Sequence, residues 1–115
     1  MQVTKISDAK RYDAKLHWGM TGLRLQGMEA SDMESFSCSL SYFMPDGGAE
    51  WSASPNEKVY IVLDGEITIL TKDENDQVVE TQMGPMDSCV IGYNETRAVE
   101  NRTNGVVTML VVVSA

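Results

Sequence analysis

From Gly22 onward the chain alternates apolar and polar residues in short runs, broken by glycine, proline, asparagine and aspartate. A period of two predicts strands rather than helices. Leu23 and Leu25 flank Arg24 as one short half-buried strand. Ser37 to Met44 is the clearest case, with Cys38, Leu40, Tyr42 and Met44 on one face and Ser37, Ser39 and Ser41 on the other. Pro45-Asp46-Gly47-Gly48 then supplies turn chemistry. Further strands are expected at Lys58–Leu63, Glu66–Leu70, Val78–Thr81, Ser88–Ile91 and Arg97–Asn101. Asp64-Gly65 and Asn104-Gly105 read as hairpin turns, because glycine accepts positive φ freely. Val106–Val113 is apolar at both parities, which predicts cover on both faces or an interface. Only residues 8–18 suggest a helical turn or two, with Asp8 as the cap. Short strands at this spacing predict an all-β fold, an antiparallel sandwich or barrel.

The 115 residues suit one domain spanning 1–115, with no internal repeat or linker. Apolar residues at 43% and charged residues at 23% exclude a disordered chain. Nine basic against seventeen acidic residues leave a net charge of −8, which repels phosphate backbones and anionic lipid. Nucleic-acid and membrane partners are therefore not expected. No apolar run is long enough to span a bilayer, and Met1 to Asp8 lack the basic head and apolar stretch of a signal peptide. With only Cys38 and Cys89, far apart, the expectation is a cytoplasmic protein with reduced thiols. A single histidine, His17, excludes sites built from two or three imidazoles. No CxxC pair, GxSxG elbow or phosphate-cradling glycine loop occurs.

One constellation resembles a known family. Pro45-Asp46-Gly47-Gly48, followed after a loop by Val59-Tyr60-Ile61-Val62-Leu63-Asp64-Gly65-Glu66, looks like the first conserved motif of the cupins. Gly84 to Asn101 resembles the second, closing asparagine included. The resemblance covers residues 45–101 and implies a double-stranded β-helix, the jelly-roll (RmlC-like) barrel, with its site in the mouth. Typical cupins place two histidines and a glutamate in the first motif and a third histidine in the second. The matching positions here are Ser52, Ser54, Lys58 and Arg97. Neutral hydroxyls are poor ligands for a transition metal, and cations repel one. A site without metal or other cofactor is therefore expected.

What the resemblance leaves in place of a metal is an ammonium and a guanidinium, a receptor for a small organic anion. Tyr60 shares the strand face of Lys58 and adds a phenol. Burial and the neighbouring Arg97 are expected to lower the Lys58 pKa, so that its amine serves as base or Schiff-base nucleophile. Two functions follow. One is a metal-independent cupin that binds a carboxylate or enolate through Lys58 and Arg97, with Ser52, Ser54, Tyr42 and Trp51 around it. The other is a metal-free isomerase, epimerase or lyase in which Lys58 or Tyr60 moves a proton and Arg97 holds the oxyanion. A plainer arrangement pairs Lys58 and Arg97 with Glu50, Glu57 or Glu100 as a structural plug. His17-Trp18 reads as either crossing the barrel or lying at a contact between copies, and a homodimer is expected because unpaired sheet edges are a liability.

Overall fold

A computed structural model describes residues 1–115. A 3-10 turn at Ile6–Asp8 precedes β1 (Arg11–Tyr12), β2 (His17–Gln26), β3 (Phe36–Ser52), β4 (Lys58–Asp64), β5 (Ile67–Lys72), β6 (Val78–Met83), β7 (Ser88–Ile91), β8 (Arg97–Glu100) and β9 (Val107–Ser114). The chain is all-β, as its alternation predicts, and the helix expected over 8–18 is absent. Those residues form a short strand and a turn, because a pairing partner in β2 outweighs a lone capping aspartate.

All strands pair antiparallel, in the order β6-β5-β8-β3-β9-β4-β7, with β2 on β3 and β1 on β2. Together they wrap into the jelly-roll barrel. The 17-residue β3 holds the two halves together: its first part, Phe36 to Phe43, pairs with β9, and its last part, Gly48 to Ser52, pairs with β8. Close backbone approach makes the bend possible. A side chain at Gly48 would run into the carbonyl of Val99, so glycine is required there. Asn101, 1% exposed, secures the same bend. Its Nδ2 donates to the carbonyls of Phe43 (3.0 Å), Met44 (3.1 Å) and Gly105 (2.8 Å), while its Oδ1 accepts from Thr103.

Two expectations need correction. Gly65 does adopt a positive φ of 83°, but β4 pairs with β7 and β9 while β5 pairs with β6 and β8. Asp64-Gly65 is thus a crossover between the two halves and not a hairpin. Asn104-Gly105 likewise joins β8 to β9, which do not pair. A turn signal reverses the chain without choosing its neighbour. The second correction concerns β3. Its serine face points inward, with Ser39 6%, Ser41 3% and Phe43 1% exposed, while Leu40 and Tyr42 sit half-buried on the outside. The inward positions beside the serines are a polar cavity, so the apolar parity is left to the outer face.

The hydrophobic core fills the rest of the barrel. Phe43, Val62, Ile67, Val99, Val107 and Met109 are each essentially sealed from water. Each contributes about 1.5–3 kcal/mol relative to an exposed side chain. No helix is long and apolar enough to cross a membrane.

Candidate functional site

Above that core, the inward parities of β2, β3, β4, β8 and β9 enclose a cavity of about 190 Å³. His17, Lys58, Tyr60 and Arg97 line it, with Tyr12 and the inner serines of β3. No aspartate or glutamate does. The volume suits a small molecule rather than a drug-sized one. A vestibule of about 370 Å³ adjoins it through the shared Arg24, Ser37 and Val113, and adds Met28, Met33 and Phe36.

Arg97 anchors the site. It is 4% exposed, and no carboxylate lies within ion-pairing distance of it. The structural plug with Glu50, Glu57 or Glu100 is therefore not formed. Neutral oxygens hold the guanidinium instead: Nε donates to the Tyr60 hydroxyl at 2.8 Å, and Nη1 donates to the Glu50 carbonyl at 3.1 Å and to Ser52 Oγ at 2.9 Å. Nη2 has no protein partner and is not sealed off, so its donors remain for a ligand. Tyr60 accepts from Arg97, which leaves its own hydroxyl proton to give. Burial holds the Tyr60 pKa above the ordinary value, against the opposing pull of Arg97.

Lys58 starts β4 opposite Val113 of β9 and Ile91 of β7. It makes no ion pair. Burial first and the Arg97 charge second lower its pKa. His17 faces both cations. Its pKa is lowered by burial and by Arg97 and Lys58, against a raising hydrogen bond to the Lys15 carbonyl. Tyr12 closes one wall, with its hydroxyl on Ser39 Oγ at 2.9 Å and the Arg24 guanidinium 3.6 Å from its ring centroid.

The residues anticipated for the site divide in two. Lys58, Tyr60 and Arg97 share the cavity, and Ser52 stands behind it as a support for Arg97. Ser54 does not line it; its Oγ is buried and without a partner. Tyr42 lies on the outer parity of β3. Trp51 is exposed at the far end of β3, with Lys72 Nζ 5.3 Å from its ring centroid. A register irregularity between Ala49 and Ser52 breaks the alternation of β3 at Trp51. His17 and Tyr12 are the cavity residues that strand alternation does not single out. Being the chain's one imidazole and preceding a tryptophan was the single available hint.

The donor set does not suit a metal. Ser52, Ser54, Lys58 and Arg97 occupy the positions where cupins carry ligands, and nowhere do three His, Cys, Asp or Glu side chains converge on a common point.

No family model matches the chain. Along 114 residues it is 40% identical to a protein named beta-D-galactosidase Rv1717 from Mycobacterium tuberculosis, covering 99% of this chain and 94% of that one. Among solved structures, the polyketide cyclase RemF of Streptomyces resistomycificus superposes with a TM-score of 0.85 at 17% identity, over 99% of this chain and 79% of RemF. Oxalate decarboxylase of Bacillus subtilis gives 0.81 at 13% identity, this chain spanning 29% of that enzyme. A cupin superfamily protein of Desulfitobacterium hafniense gives 0.68 at 16% identity, over 90% of this chain and 83% of that protein.

Proposed function

The chain belongs to the same family as the M. tuberculosis protein named beta-D-galactosidase Rv1717 and has the cupin fold, and from that premise we propose that its barrel binds a small organic anion, a carboxylate or enolate, without a metal. One observation carries this reading: three cations, Arg24, Lys58 and Arg97, and no carboxylate line the cavity, and of the three only Arg24 is ion-paired, to Glu29. Lys58 and Arg97 repel each other there, and that repulsion contributes to the lowered Lys58 pKa. An entering carboxylate relieves it, and the free Nη2 of Arg97 offers a charged N–H donor to one of its oxygens.

Melting temperatures in the presence of pyruvate, D-galacturonate and D-galactose test the reading. The two carboxylates should stabilise the protein and the neutral sugar at equal concentration should not. Arg97→Lys keeps the charge but loses the bonds to Tyr60, Ser52 and the Glu50 carbonyl that aim Nη2, and should weaken carboxylate binding about tenfold. Equal responses to galactose and galacturonate would remove the anion assignment.

A second reading, hydrolysis of β-galactosides, is favoured by the 40% identity across nearly the whole chain. Hydrolases of this kind ordinarily use two carboxyl groups flanking the bond, and none lines this cavity. Chromophore release from an aryl β-D-galactoside, lost on Lys58→Met, would establish it. We further propose a cytoplasmic homodimer. Cys38 and Cys89 are free thiols, and the outer sheet face described below supports pairing with a second copy.

A further inference from the structure

We propose, resting on the anion reading above, that His17 is the group that takes a proton from the carbon beside the ligand's carboxylate or carbonyl. The geometry of the ring supports this. Nδ1 lies 2.6 Å from the Lys15 carbonyl oxygen. A carbonyl can only accept, so Nδ1 carries the proton and Nε2 holds a bare lone pair. Nε2 has no partner in the chain and is not sealed off, while His17 lines the cavity beside Lys58 and Arg97. The Phe43 ring stacks beside it, with centroids 6.4 Å apart and 25° between planes.

The turn that orients the ring is strained. Leu16 has φ of 59°, in the left-handed region, and its side chain is exposed. No burial of Leu16 compensates for that conformation. What the turn provides is the Lys15 carbonyl at Nδ1 and the Leu16 carbonyl on the Glu50 amide at 2.8 Å. Strain of this kind persists only where the surroundings impose it.

His17 is in its basic form at neutral pH, since its pKa lies below the ordinary 6.5, whereas Tyr60 is held above the usual phenol value. The charged groups facing it are Lys58 from β4, Arg97 from β8 and Arg24 from its own strand. In the step itself the C–H bond breaks and its proton forms an N–H bond at Nε2. The C–H electron pair becomes the C=C bond of an enolate, and the carbonyl π pair moves to oxygen beside Arg97 and Lys58. Imidazolium and oxyanion form together, so the cavity's net charge is unchanged, which offsets the repulsion an imidazolium would otherwise meet. Return of the proton gives exchange, or isomerisation when it arrives elsewhere on the enolate. No oxidant or reductant is needed.

The test follows the methyl protons of pyruvate in D2O by NMR, alongside pyruvate affinity. The wild type should speed exchange over buffer with a single rising limb below pH 6.5, and His17→Gln should lose at least tenfold of that rate while keeping its pyruvate affinity. His17→Asn serves if the glutamine variant melts early. Wild-type exchange retained in both variants, or pyruvate bound without any faster exchange, would overturn the role of His17. Failure of pyruvate to bind at all would overturn the anion reading instead, and the proton-transfer role with it.

Discussion

Arg97 is a buried guanidinium without a carboxylate, held by a phenol, a hydroxyl and a backbone carbonyl. Burying a charge with neutral partners alone costs several kcal/mol more than pairing it, so the fold is stressed at this residue and an incoming anion relieves the stress. His17 gives the residue scale its pH signature. Its folded pKa lies below the ordinary 6.5 of the unfolded chain. Above that value both states are neutral and the residue makes no pH-dependent contribution. As pH falls below it the unfolded chain takes up the proton first, so stability drops toward the folded pKa. Thermal melts of wild type and His17→Gln should therefore run parallel above pH 6.5 and diverge below it, with the glutamine variant losing less. Lys58, Tyr60 and Arg97 could be read from the two motifs, since strand parity carries Lys58 and Tyr60 inward together. His17 could not, because it arrives from β2 across a turn that local pattern does not describe.

At the scale of elements, β3 does the most to define the barrel, and two residues make its bend possible. Gly48 lets the strand approach Val99, and Asn101 ties the carbonyls on either side of the bend to the turn at Gly105. Asn101→Ala leaves buried carbonyls unmatched and should cost about 2–4 kcal/mol, read as a lowered melting temperature and urea midpoint. An unchanged midpoint would mean that the bend is held by the strands alone. The closing asparagine was visible in the sequence as part of a motif; that it acts as a strut was not, because its partners at 43 and 44 are remote along the chain. The same limit explains Asp64-Gly65, where a correct turn joins strands that pair elsewhere.

For the whole molecule, the outer face of β2-β3-β9-β4-β7 presents two apolar rows. Registers align Leu23, Leu40, Leu110 and Ile61 in one row, and Cys38, Val112, Val59 and Val90 in the next. Within these five strands neither row contains a charge, and Arg11 of β1 follows Leu23 at the edge of the first, in a chain whose net charge is −8. Two copies meeting through this face avoid their mutual repulsion better than through any acidic surface, which is the support for a self-complementary dimer. Light scattering coupled to size exclusion should give twice the chain mass, and Leu40→Glu with Leu110→Glu should halve it without unfolding the barrel. A monomeric wild type at tens of micromolar would remove the dimer.

Strand content and turn positions were determined by residue order, because each rests on a period of two or on neighbours along the chain. Only the closed barrel decided the rest: which parity of β3 faces inward, which strands the glycine turns leave unpaired, and that His17 joins the cations. Alternation states that two faces differ without saying which one is enclosed, and enclosure is settled by contacts between strands distant in sequence.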